Sequence, residues 1–163
     1  MHILEYENYE ETKKHYDTDF SYNTYPCSIP LDFPCVPMHW HRETEIIYVK
    51  SGRGMVNVDG ISYPVVKDSI VFILPGRLHS IAQYESEAFS YENIIFDMQM
   101  LIPKEGDTMS FNFFHRLQNF PEDFPVLIDR VPKAHRAVQI CLDRIDDCLL
   151  YTSPSPRDAH ESR

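Results

Sequence analysis

Three imidazoles and a carboxylate recur at short steps in the first half of the chain: His39, His41 and Glu45, then His79 beyond a Pro75-Gly76 turn. Neutral imidazoles and a carboxylate are ligands for a borderline divalent ion such as Zn, Fe, Mn, Ni or Cu, with positions left open for water or substrate. An ion held that way acts as a Lewis acid or a redox centre. The same four side chains also suit a small polar ligand such as a sugar, as hydrogen-bonding groups in an otherwise apolar pocket. A third reading is a self-satisfied buried network that binds nothing.

Strand structure has to bring these groups together. Side chains alternate along a strand, so an extended segment from His39 onward sends His39, His41, Glu45 and then Ile47 to one face, and Trp40 and Arg42 to the other. His79 follows the turn and starts a second strand able to lie across from the first. Around them the pattern is of short strands separated by turn residues, as an antiparallel sandwich or barrel requires. Thr44 to Lys50 is rich in Ile, Tyr and Val, Gly52-Arg53-Gly54 breaks it as turn chemistry, and Met55 to Val58 resumes. Asp59-Gly60 is a type I′ hairpin signal, because both central positions need positive φ. Ile61 to Val66, Ser69 to Leu74, His79 to Gln83 and Phe89 to Phe96 complete the set.

The spacing His-x-His-x3-Glu-x6-Gly from His39 to Gly52, with Gly76-x2-His79 later, resembles the two cupin motifs. Over Ser28 to Asp97, and more loosely over Met98 to Leu150, the chain resembles the sensor half of AraC-type transcription regulators. The second motif departs from the general cupin pattern: Leu74 stands where a proline is usual, Pro75 comes one place later, and the final Asn is absent. AraC-type regulators commonly carry that variant. The resemblance implies a cupin-type antiparallel β-barrel (a double-stranded β-helix or jelly roll) at residues 26–100, with one or two C-terminal helices in a dimerisation segment at 101–150. It further implies a small-molecule, sugar-like effector bound by His39, His41, Glu45, Ile47 and His79, with a divalent metal on His39, His41, Glu45 and His79 as an additional expectation. Residues 1–25 then form an arm over the pocket mouth or toward a second domain. DNA is contacted only through a helix-turn-helix half expected beyond about Leu150. The competing class is a small metal-dependent cupin enzyme of isomerase, dioxygenase or decarboxylase type using the same four residues.

Composition limits these choices. At 163 residues, 43% of them hydrophobic, one domain is expected to bury about 70% of its unfolded surface. Fifteen Lys and Arg against 25 Asp and Glu leave a net charge of −10, which repels phosphate backbones, so this chain alone is not expected to bind DNA. No apolar stretch of about 18 residues and no basic, apolar leader are present, so no membrane partner and a cytoplasmic location are expected. No Gly-x-Ser-x-Gly elbow and no phosphate loop can be written, which removes the common nucleophilic and nucleotide-binding classes. Cys27, Cys35, Cys141 and Cys148 form no Cys-x2-Cys pair and read as small buried or half-buried thiols in a reducing compartment.

Beyond Asp97 prolines interrupt the chain, and Phe111 to Leu117 reads as one or two helical turns. Pro132 suits the first turn of an amphipathic helix on which Val138, Cys141, Leu142, Ile145, Cys148 and Leu149 recur. Its Val138, Cys141, Ile145, Cys148 subset has the spacing of a coiled-coil seam, for a homodimer, although the same face also suits packing back on the barrel. Leu150 to Ala159 fits nothing before it and resembles translated adapter sequence, so residues 151–163 are expected to be a non-native or disordered tail. The acidic, tyrosine-rich residues 1–25 promise no core element; a frayed terminus is the alternative to an arm.

Overall fold

The structure, a computed structural model, describes residues 8–13, 15, 21–101, 108–119, 124–130 and 132–152. Seven strands run in chain order: β1 Tyr22–Ile29, β2 Val36–His39, β3 Thr44–Val58, β4 Ile61–Val66, β5 Ile70–Ile73, β6 His79–Gln83 and β7 Phe89–Phe96. These strands pair antiparallel throughout. The sheet is mostly of the expected cupin type, curled about one long strand. The first half of β3 pairs with β7 and β5, and its second half pairs with β4 and β6.

That curl corrects one expectation. Gly52-Arg53-Gly54 does not end a strand; β3 passes straight through it. The β3–β7 register slips between Val49 and Ser51, and Gly52 takes a φ of 76°. A Cβ on Gly52 would overlap the Ala88 carbonyl oxygen, and one on Gly54 would overlap the Phe89 ring. The glycines therefore bend a continuous strand and let the start of β7 approach it, which is bulge chemistry in place of a turn.

The hairpin is as read: Asp59 and Gly60 have φ of 49° and 82°, and Val58 faces Ile61. Inward residues of six strands form the core, including Ile29, Val49, Val56, Val71, Ile81 and Phe89. Asp129 ties the start of β5 down, accepting from the Ile70 amide at 3.0 Å and from the Ser69 hydroxyl at 2.6 Å. A second apolar cluster of Leu74, Met98 and Leu117 seats α1, Thr108–Asn119, which is longer than the one or two turns expected.

Three further boundaries differ. His39 to Glu45 is not extended throughout: His39 closes β2, Glu45 lies in β3, and His41 to Glu43 form a loop between them. Shared strand parity is thus not what unites these residues; the loop crosses from the β6-paired strand to the β7-paired one. β1 begins at Tyr22, inside the segment read as arm, because Tyr and Thr suit an edge strand without aliphatics. The compact units are residues 1–129 and 130–163, dividing after α1 instead of at residue 100.

The second unit contains α2, Pro132–Thr152, opening on its proline as read. Val138 is half-buried, Ile145 is exposed, and Cys141 and Cys148 are exposed. Cys35 is exposed too and only Cys27 is half-buried, so the reading of four covered thiols fails for three of them; Cys35 sits in the β1–β2 loop, and the other two on an uncovered helix face. None of the four forms a disulfide. Of the expected tail, Tyr151 and Thr152 belong to α2, and 153–163 lie outside the described residues. No described helix is long and apolar enough to cross a membrane.

Gly52→Ala should lower unfolding stability by about 2–4 kcal/mol, combining left-handed strain with overlap on main-chain atoms. Gly60→Ala, with φ of 82° but open space around its Cβ, should cost only about 1 kcal/mol. Urea midpoints of the two variants measure the difference, and equal losses would refute the close-approach account.

Candidate ligand and metal site

His39 at the end of β2 stands directly across from His79 at the start of β6. His41 enters from the loop and Glu45 from the second position of β3. One donor atom from each lies within 4.8 Å of the others. Glu45 Oε2 sits 2.8 Å from His41 Nε2 and 2.8 Å from His79 Nε2. The His39 and His79 ring centres are 4.2 Å apart. His41, Glu45 and His79 are buried, while His39 is half-buried.

The far side of each ring decides what the near side can do. His39 Nδ1 lies 2.9 Å from the Pro37 carbonyl, His41 Nδ1 3.1 Å from that of Glu43, and His79 Nδ1 2.8 Å from that of Arg77. A carbonyl only accepts, so each Nδ1 carries the proton and donates it. Each neutral ring then turns the lone pair of Nε2 toward the cluster, as metal-binding histidines do. Two such lone pairs at 2.8 Å from one carboxylate oxygen repel it unless positive charge intervenes. The donor set therefore calls for either a proton on each Nε2 or a cation among them, and it fits a divalent ion.

The electrostatics follow. Burial alone would raise the Glu45 carboxyl, but His79 and His41 beside it hold it well below the usual carboxylate range. Burial would lower His79, and the Glu45 carboxylate overrides it and raises the ring. His39 goes the other way, pushed down by burial and by the neighbouring His79 charge.

A cavity of about 410 Å³ opens beside the cluster, with His39 and Glu45 in its wall. His41 and His79 do not line it; they stand behind. Tyr91 and Asn93 of β7 add polar wall, and both the Tyr91 hydroxyl and Asn93 Oδ1 are buried. Asn93 Oδ1 has no hydrogen-bond partner among the described residues, while the Tyr91 hydroxyl is hydrogen-bonded with the Cys27 thiol. Burial pushes the Tyr91 phenol far up, so it remains a donor. Sequence reasoning missed this pair. The available signal was alternation in β7, where Phe89, Tyr91, Asn93 and Ile95 share a face.

Of the five expected effector contacts, His41, His79 and Ile47 do not line the cavity, and Ile47 is also outside the donor cluster. It is fully buried in the apolar core and does not line the cavity. It has the inward orientation expected, but it lies where neighbouring strands already fill the interior, against Val71 on β5 and Asn93 on β7.

The N-terminal segment closes another side of the cavity through Glu11, Lys13 and His15. Its main chain is joined to Trp40: the Glu11 amide donates to the Trp40 carbonyl at 2.8 Å and the Trp40 amide to that of Tyr9 at 2.9 Å. The His15 carbonyl accepts from Asn23 Nδ2 at 2.6 Å and the Tyr25 hydroxyl at 2.9 Å.

The model of the AraC-like ligand binding domain matches residues 33–114, from ahead of β2 into α1, half of the chain. The chain belongs to this family. All four donors and the Tyr91–Asn93 pair fall inside the matched region of this AraC-like domain. Similar solved structures include a cupin protein from Bacteroides fragilis, 22% identical over 55% of this chain and 75% of that one, TM-score 0.45. Another is a cupin 2 conserved barrel domain protein from Salinispora arenicola, 25% identical over 53% and 72%, TM-score 0.43. A third is the Schizosaccharomyces pombe Cnp3 cupin domain, 14% identical over 53% and 63%, TM-score 0.45. Among curated proteins none matches.

The opposed shifts of Glu45 and His79 give a signed pH dependence in metal-free buffer. The lowered Glu45 stabilises the fold above its ordinary 4.5, and this is lost as pH falls. The raised His79 stabilises it below its ordinary 6.5, and this is lost as pH rises through the raised value. The lowered His39 subtracts from stability below its ordinary 6.5. The melting midpoint should therefore decline as pH rises above about 6.5 and through the raised His79 value, and Glu45→Gln should flatten that decline. A wild-type slope unchanged in Glu45→Gln would remove the Glu45–His79 pair as its cause.

Proposed function

We propose that this AraC-like domain is the effector-sensing and dimerising part of a transcription regulator. The effector is a small, hydroxyl-rich polar molecule, sugar-like in its chemistry, bound in the cavity beside His39. One observation carries the reading: a 410 Å³ cavity whose wall holds Asn93 Oδ1, buried with no partner among the described residues, next to the Tyr91 hydroxyl, whose neighbour is the Cys27 thiol. Buried polar atoms of that kind cost free energy until a ligand satisfies them, so they favour a hydroxyl-bearing occupant over an apolar one. The family match supports ligand binding as the domain's activity.

His39, His41, Glu45 and His79 would hold a divalent ion of the Zn, Fe, Mn, Ni or Cu group. When bound, it supplies a Lewis-acid contact for an effector oxygen. The residues themselves do the rest: carbonyl-held Nδ1 atoms fix the rings, and His39 and Glu45 present the cluster to the cavity. Effector binding then shifts the populations of domain arrangements presented to DNA by a helix-turn-helix half. Such a half would have to supply the positive charge, since this chain carries −10. Such a regulator works in the cytoplasm. The alternative, a metal-dependent enzyme, is favoured by the donor set itself and predicts turnover that disappears in His41→Ala.

Melting curves against a panel of sugars and organic acids, with and without divalent ions, test the reading. A ligand at 100 times its Kd contributes about 2.7 kcal/mol, a midpoint rise of several degrees. Asn93→Leu should weaken that ligand about tenfold while leaving an ion-only rise intact. A panel that moves no midpoint would sink the sensor.

Dimerisation is assigned to the α2 face of Val138, Cys141, Ile145 and Cys148, two of whose thiols and Ile145 are exposed. Ile145→Glu should turn a dimer into a monomer in sedimentation equilibrium, and an unaltered dimer would move the interface elsewhere.

A further inference from the structure

The N-terminal segment carries a carboxylate to the one cluster histidine that faces the cavity. Glu11 Oε2 lies 3.6 Å from His39 Nε2 and 3.2 Å from His15 Nε2. Glu11, Lys13 and His15 all line the cavity. The main-chain anchor of this segment is Trp40, the residue between His39 and His41, bonded on both its amide and carbonyl. Seating the segment thus fixes the backbone that aims two of the four donors.

Charge balance gives Glu11 a role. The four donors supply one negative charge, from Glu45, for an ion carrying two positive charges. A largely buried site left with net charge is costly, and a second carboxylate removes that cost. Of the cavity's other carboxylates, Glu11 and Asp32, it is Glu11 that has an oxygen 3.6 Å from a cluster nitrogen, while Lys13 is turned to the Tyr25 ring, with Nζ 4.9 Å from its centre.

We propose that Glu11 is a further anionic donor to the divalent ion held by His39, His41, Glu45 and His79, so that ion binding and seating of the N-terminal segment are one coupled equilibrium. The inference rests on the metal reading above. Because coupling is reciprocal, the ion tightens the segment by the factor through which the seated segment tightens the ion.

The test uses the full chain and Co²⁺ alone, followed by calorimetric titration, the visible cobalt spectrum, and hydrogen exchange of the Glu11 and Trp40 amides. Wild type should bind one ion, and Co²⁺ should slow exchange at both amides. Glu11→Gln should weaken binding about 10- to 100-fold, alter the spectrum, and abolish the ion-dependent slowing. Glu11→Asp, keeping the charge on a shorter arm, should fall between, and Glu87→Gln on a distant loop should match wild type. Circular dichroism checks that each variant is folded. Equal affinity and spectra for wild type and Glu11→Gln would overturn the proposal and leave the four-donor ion site standing. Weaker binding with ion-dependent protection retained would overturn the coupling. A wild type that binds no Co²⁺ would defeat the metal reading, and this inference with it.

Discussion

Three hydrogen bonds to main-chain carbonyls determine the chemistry of this domain. By accepting from the Nδ1 atoms of His39, His41 and His79, the carbonyls of Pro37, Glu43 and Arg77 leave Nε2 as the only nitrogen facing inward. The consequence falls on Glu45, whose Oε2 meets two of these nitrogens at 2.8 Å. Such a carboxylate, desolvated and flanked by imidazoles, tolerates the arrangement only with positive charge close by. The site therefore needs positive charge at its centre, whether a pair of protons or a metal, and it stands beside a cavity whose wall includes Tyr91 and Asn93.

The rest of the fold serves this junction. β3 has to carry Glu45 at one end and pair with β6, which carries His79, near the other, so it belongs to both sides of the curled sheet. Gly52 and Gly54 make that possible by letting β7 cross where a side chain would collide. The His41–Glu43 loop performs the opposite task, stepping from β2 to β3 so that His39 and Glu45 reach the same point from different strands. The N-terminal segment is joined to the same step through Trp40, which links the mouth of the cavity to the aim of the histidines.

Much of this was legible along the chain. Asp59-Gly60 fixed a hairpin because two consecutive positive φ angles are a local demand. Ile61 to Val66, His79 to Gln83 and Phe89 to Phe96 matched their strands because period-2 patterning and turn residues bound them locally. Gly52-Arg53-Gly54 misled for the same reason: a glycine that permits close approach reads like a glycine that makes a turn, and the approaching atom, at Ala88, is far along the chain. Cys35, Cys141 and Cys148 misled because small apolar side chains carry no mark of which helix face or loop stays uncovered.

By itself the sequence determined the donor types, their meeting at one centre by way of the motif resemblance, the strand and turn chemistry, and a negative charge unsuited to DNA. Tertiary structure alone decided that His39 and Glu45 face the cavity while His41 and His79 stand behind, that Ile47 is core, and that Tyr91, Asn93 and Glu11 line the same cavity. The physical reason is range. Alternation and turn preference act over a few residues, whereas a cavity wall is set by register between strands tens of residues apart, and by the volume those strands leave unfilled.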